Sequence, residues 1–211
     1  MKGLVANNLY SMHDNIKLSL SVALPMAIVP LLAKDASIMA MIVAIQVFIF
    51  TSSMGASFQM DETSRWNKWE ITMPVTRKTI ISAKYISFIL LILMGLAISL
   101  VTVLLLGLRG EFNFDMLLFG YSYGLQLSIS TVAIVYPLIL KLGAEKSETL
   151  LITAAGLSLG LRLLAWYLLS MSDSTITFRS PVVGQASLAF ALVMFVWSYL
   201  LSARIHLNKE F

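Results

Sequence analysis

No charged residue occurs between positions 36 and 60, and none between 86 and 108. A helix that crosses a bilayer needs about 20 consecutive, mostly apolar residues, and both runs supply them. In hydrocarbon a segment must satisfy its own backbone N–H and C=O groups, which a single segment does only as a helix. The rest of the chain agrees. Of 211 residues, 58% are hydrophobic and 12% charged, against about 25% charged in a soluble domain. A surface so poor in charge is solvated largely by lipid. The fold class that follows is an all-α integral membrane protein, a single domain over 1–211 with no room for a separate soluble catalytic domain.

Six segments have the length and apolarity of spans, near 15–33, 37–58, 82–107, 116–140, 148–170 and 184–204. Pro25 and Pro30 predict a kink in the first. The polar stretch after Lys2 is too short of apolar residues for a cleavable leader, so the first span is expected to stay. Six spans put both termini on one side, together with Lys2, Lys17, Arg65, Lys68, Arg77, Lys78, Lys84, Lys141, Lys146, Arg204 and Lys209. Lys34, Arg109 and Arg179 fall on the other side. The cytoplasmic excess of lysine and arginine in membrane proteins then predicts that both termini lie in the cytoplasm, with the chain in the cell membrane. The net charge of +4 is accounted for by this bias, and no nucleic-acid partner is expected. Tyr85, Tyr136, Trp197 and Tyr199 fall near inner ends, and Trp166 and Tyr167 near an outer end, as an aromatic belt would.

The first 14 residues read differently. Val5, Leu9, Met12 and Ile16 recur at helical spacing, with Lys2, Asn7, Asn8 and Asp14 off the stripe. This predicts an amphipathic interfacial helix over 1–14. The alternative is a frayed terminus that turns helical near Ile16.

The segment 61–85 interrupts the apolar pattern with five basic residues, three acidic ones and two tryptophans. Asp61 and Glu62 suit a helix start, and Asp61 can pair with Arg65 at i,i+4. Trp66, Trp69 and Met73 share one face, near Glu70. Pro74 stops the helix, and Thr76 caps the next. Arg77, Lys78 and Lys84 would anchor the third span at the headgroups. Two tryptophans on one ridge can bury a large area against lipid or in a groove on a partner. The mixture of charge signs favours the partner, because a lipid-facing helix would be plainly basic. The loop 141–148, with Lys141, Glu145 and Lys146, repeats the mixed charge on the same side; it reads as a second contact or as a solvated hairpin.

Within the spans the polar residues are mostly uncharged. Gln46, Thr51, Ser52, Ser53, Gln126, Ser128, Ser130 and Thr131 suit interhelical hydrogen bonds. Arg162 is the one ionisable residue well inside a span, where it costs about 2.5–3.5 kcal/mol. It reads as a contact for acidic substrate groups, lipid headgroups or a carboxylate of a second subunit, or as a snorkelling side chain; Trp166 and Tyr167 one turn further out favour snorkelling. With no cysteine and His13 and His206 lacking a third ligand in view, no metal site is expected. The spans offer no acid pair or nucleophile–histidine set, so an intramembrane enzyme is disfavoured and no catalytic residue is assigned. A channel working alone would place more ionisable groups at mid-membrane. A membrane scaffold stays open.

At this point the chain resembles the ABC-2 type permeases, the membrane subunits of a group of ATP-binding cassette exporters. The residues that carry the likeness are Asp61 and Glu62, Trp66 a turn later, Pro-Val-Thr-Arg at 74–77 and Lys-Tyr at 84–85, within a six-span layout with small outer loops. In size and pattern it is similar to the permease subunits of bacterial exporters of phenol-soluble modulins, which are short amphipathic peptides. The resemblance implies a cytoplasmic coupling helix between spans 2 and 3, in a coupling region over 59–80, docked on a soluble ABC ATPase. It also implies a second permease subunit, identical or a paralogue, and an amphipathic peptide as substrate. ATP and Mg would be bound by the ATPase, with no cofactor in this chain, which lacks a G-x-x-x-x-G-K-[ST] phosphate loop. Other cargo classes implied are another antimicrobial peptide, a drug or a lipid.

Overall fold

The computed structural model describes residues 1–32, 36–66, 74–109 and 113–208, and among these residues there is no strand. The helices are α1 (Lys2–Ser11), α2 (His13–Met26), α3 (Val29–Leu32), α4 (Ala36–Ser52), α5 (Met54–Thr63), α6 (Arg77–Arg109), α7 (Phe114–Leu142), α8 (Ser147–Ser172) and α9 (Pro181–Asn208), with a 3-10 turn at Ala144–Lys146. Among the described residues, five stretches are long and apolar enough to cross a membrane: Ser37–Thr63, Arg77–Leu108, Phe114–Leu142, Ala144–Ser172 and Pro181–Leu207. They coincide with the second to sixth expected spans, and they make the chain a multi-pass membrane protein.

The first expected span, 15–33, is broken rather than merely kinked, and neither α2 nor α3 has crossing length. Pro25 has no N–H to donate and crowds the turn before it. Beyond it the Ala27 and Ile28 N–H groups donate to Leu24 O and Pro25 O, both at 3.0 Å, in a tighter three-residue spacing. The Ala23 carbonyl instead accepts from Gln46 Nε2 of α4 at 2.9 Å. Gln46 Oε1 in turn accepts from Thr102 Oγ1 of α6 at 2.8 Å. A neighbouring side chain thus satisfies the backbone that the proline disturbs, as membrane helices with prolines require. Lower down, Ser19 of α2 meets Ser53 at 3.1 Å, so α2 runs antiparallel to α4.

α7 is the central helix, packed against α4, α8 and α9, while α6 packs on α4 and α9. The α4–α7 seam is closed by small residues. A Cβ on Gly120 would lie 2.6 Å from the Ala40 carbonyl oxygen, and one on Gly124 would lie 2.9 Å from Ala44 Cα. Two glycines four residues apart bring the backbones into contact where no hydrophobic drive between helices exists. α8 and α9 turn Leu157, Leu163, Leu164, Val193, Val196 and Trp197 outward.

Both termini lie at one end of the bundle, here the terminal end. Leu4 of α1 packs with Ile80 and Ala83 of α6. Arg77 Nη1 donates to His206 O at 3.0 Å and to Leu207 O at 2.9 Å. The opposite, far end holds the loop 173–180, where Arg179 Nη1 donates to Ser37 Oγ at 3.0 Å.

Two expectations are corrected here. α1 is helical from Lys2 and docks on α5 and α6. Its inward line is Leu4, Asn8 and Met12, with Val5, Leu9 and Ile16 only half-buried. The stripe is rotated because Asn8 has a partner inside, its Nδ2 donating to Ser87 Oγ at 3.3 Å. Tyr85 and Tyr136 are core residues rather than a belt, each 3% exposed. Tyr85 packs edge-on against Tyr136, Phe195 and Tyr199, with centroids 5.1–5.3 Å apart. Its hydroxyl meets Ser198 at 2.6 Å and Ser202 at 3.1 Å, so the ring is buried with its polar tip satisfied.

Candidate functional site

The expected coupling region begins on α5, which continues the second span: Met54 and Phe58 keep it buried as far as Asp61. Asp61 and Glu62 therefore lie in the last turn of a helix, not the first. A carboxylate there meets the negative end of the helix dipole, and Asp61 is neutralised from another helix. It is 5% exposed and forms a short hydrogen-bonded ion pair with Lys84 Nζ of α6, itself 3% exposed. The same ammonium donates to Ser57 Oγ at 3.1 Å, and Ser11 Oγ of α1 donates to Ser57 Oγ at 3.3 Å. The pair ties α1, α5 and α6 into one polar knot below the aromatic core. Lys84 is thus a buried partner, not a headgroup anchor.

Arg65 was expected to pair with Asp61. It instead ends the helix in a left-handed turn, with φ +51°, exposed to solvent, while Glu62 is also exposed and Trp66 half-buried. Trp69, Glu70 and Met73 lie outside the described residues. The chain re-enters at an exposed Pro74. Thr76 caps α6 as expected, its Oγ1 accepting from the Thr79 N–H at 3.3 Å. Arg77, expected in the coupling set, lies across the carbonyl end of α9, where a cation offsets the dipole.

The loop 141–148 comes to the same place. Its 3-10 turn packs on α5, and Gln59 Nε2 donates to Glu148 Oε1 at 2.9 Å. Lys141, Glu145 and Lys146 are exposed. The structure therefore brings the two mixed-charge segments to one end of the bundle, side by side. Sequence reasoning missed the Asp61–Lys84 pair because its members are far apart in the chain; a lysine just inside a span facing an acid just past the preceding one was the available signal.

Of the polar residues within the spans, Gln46, Ser53, Gln126 and Thr131 bridge helices as expected, the last two to Ser158 of α8. Ser52 and Ser130 donate to carbonyls of their own helices, while Thr51 Oγ1 and Ser128 Oγ are buried without a partner among the described residues.

Arg162 does not snorkel. It is 0% exposed, and its guanidinium carbon lies 5.0 Å from the Phe119 ring centroid, 4.9 Å from Tyr123 and 5.4 Å from Phe178. Phe178 descends from the far-end loop and packs edge-on against Trp166 at 6.2 Å, whose Nε1 donates to Ile176 O at 3.1 Å. This loop closes the route along which the side chain would have reached water.

The ABC-2 family transporter protein model matches residues 3–206. No curated protein and no solved structure matches the chain. The match reaches into every described helix, from the docked N-terminal one to the last span: the chain belongs to the ABC-2 family of transporter proteins.

Proposed function

We propose that this chain is the membrane-spanning subunit of an exporter driven by a separate ABC ATPase that docks at the terminal end, on the segment 59–80. Permeases of this family work in general with such an ATPase. The carrying observation is the Asp61–Lys84 ion pair. The segment 64–76 leaves α5 and returns to α6 at two points joined through buried charge, so a push on it reaches both helices rather than flexing a loop. Trp66, Trp69 and Met73 supply the ridge and Glu62, Arg65, Glu70 and Pro74 frame it, while Asp61 and Arg77 tie its two ends to α6 and α9. Lys141, Glu145 and Lys146 add a second contact beside it. ATP and Mg belong to the ATPase, and this chain converts its movement mechanically.

On this reading the terminal end faces the cytoplasm of a bacterial cell membrane, in line with its excess of basic residues. The broken α2–α3 segment completes a sixth crossing, and a second permease, identical or paralogous, lies alongside. The cargo is an amphipathic peptide of the phenol-soluble modulin kind; other antimicrobial peptides, drugs or lipids are the alternative. A lone channel or a scaffold is the weaker alternative, because the family works in general with an ABC ATPase.

The test is the double variant Trp66→Ala/Trp69→Ala. It should insert and fold as the wild type while losing copurification with the ATPase and cargo export together. Unchanged binding and export by a folded double variant would remove the ridge from the account.

A further inference from the structure

The Arg162 guanidinium is sealed among three aromatic rings, with Nε and both Nη nitrogens lacking any hydrogen-bond partner among the described residues. Ring faces attract the charge, each worth up to about 2 kcal/mol when desolvated. They do not accept the five N–H bonds directed along the edges of the plane. A buried cation so placed lacks both its counter-charge and its acceptors. The bidentate geometry of guanidinium fits a carboxylate or a phosphate.

A cavity of about 160 Å3 lies beside it at the far end, with Phe119 and Leu188 on its apolar wall, Ser122 and Gly184 at its back, and Arg179 and Asp115 at its lip. The partition between cavity and guanidinium is thin. A Cβ on Gly184 would lie 2.7 Å from Ser122 Oγ and 3.7 Å from Arg162 Nη2. Gly184, Ser122 and Phe119 line the cavity and also neighbour the guanidinium.

We propose that Arg162 is the anchor of an oxyanion site for a phosphate- or carboxylate-headed amphiphile. The head enters past Gly184 and Ser122 as Phe178 and its loop shift, and takes up the free N–H groups; the tail lies along Phe119 and Leu188. Arg179 favours the approach of a negative head, and Asp115 at the lip sets a limit on its charge. The site is independent of the coupling segment and works in a permease with no ATPase attached.

The experiment uses the whole chain in detergent, with Trp66→Phe, Trp69→Phe and Trp197→Phe, so that Trp166 beside Phe178 is the one tryptophan. Its emission is titrated with dihexanoyl phosphatidic acid, with inorganic phosphate, with laurate, and with dihexanoylglycerol, which has the same tails and no phosphate. Phosphatidic acid and laurate should give saturable changes, and Arg162→Met should weaken both by about tenfold to a hundredfold. Dihexanoylglycerol should bind no better to the parent than to that variant. Binding of inorganic phosphate as tight as that of phosphatidic acid would make the source a free anion; binding of the amphiphiles alone would make it a headgroup. Either result supports an oxyanion site if it is lost in Arg162→Met. Equal affinity in parent and variant, equal binding of dihexanoylglycerol, or no saturable change would overturn the proposal. Should Arg162→Met fail to fold, Gly184→Ala decides: thickening the partition should weaken phosphatidic acid binding, and an unchanged affinity would refute the site.

Discussion

Lys84 at the terminal end and Arg162 toward the far end are both withdrawn from solvent, 3% and 0% exposed. Lys84 faces Asp61 and donates to Ser57, and through these it joins three helices. Arg162 faces three aromatic rings and no carboxylate among the described residues. A buried cation with its counter-charge supplied from within is a structural tie. One with its charge screened but its N–H groups unused is prepared for something that arrives. The same cost of desolvation is met at one end by the chain itself and is unmet at the other among the described residues, where we place the proposed ligand.

The sharpest way to break this contrast is to disarm each cation in turn. Asp61→Leu leaves Lys84 buried without a counter-charge and should cost about 3–5 kcal/mol, whereas Asp61→Leu/Lys84→Met should recover most of it. Thermal unfolding of the purified permease reads both; equal losses in the single and double variants would mean the two residues are not coupled. Arg162→Met should do the reverse and raise stability by about 1–4 kcal/mol, because an apolar chain of similar length replaces an unpaired charge. A loss on the scale of Asp61→Leu would show that Arg162 has a counter-charge in the folded protein. A smaller effect sharpens the comparison by its location. Gly120→Ala forces a methyl against the Ala40 carbonyl and should cost about 1–3 kcal/mol. Because Gly120 adjoins Phe119, the change should also shift Trp166 emission while leaving the Asp61–Lys84 coupling energy unaltered.

The smallest effect concerns the loop that carries Phe178. Asp173 Oδ1 accepts from the Thr175 N–H at 2.9 Å and from its hydroxyl at 2.8 Å. These bonds hold the carboxyl below its ordinary range. A group with a lowered folded pKa contributes fully above the ordinary carboxylate range, and its contribution is lost as pH falls through the folded value. Acidification should therefore loosen the loop and change Trp166 emission, with little movement of the melting temperature. Asp173→Asn should remove most of that pH response.

The spans were legible because lipid demands long apolar runs and nothing else in the chain competes with that signal. The break after Pro25 was half legible: the proline announces a kink, but the separation of α2 from α3 depends on Gln46 being on hand for the Ala23 carbonyl, a contact between distant residues. Asp61 illustrates the same limit. Local rules placed it at a helix start beside Arg65, and a tertiary partner, Lys84, overrode them. Tyr85 and Tyr136 resembled a belt because their distance from the charged segment was right; serines on α9 drew Tyr85 inward. Arg162 stands out in the sequence as a charge well inside a span, yet its surroundings are not readable there, since Phe119 and Phe178 come from other parts of the chain.

The most direct measurement of the coupling claim is photo-cross-linking from position 66, with a photoreactive amino acid replacing Trp66 in the assembled complex in native membranes. The account predicts that the label captures a soluble ABC ATPase from the cytoplasmic side, and that the capture is lost when the ATPase is stripped away. Capture of lipid alone, or labelling of that position by a reagent confined outside the cell, would contradict it.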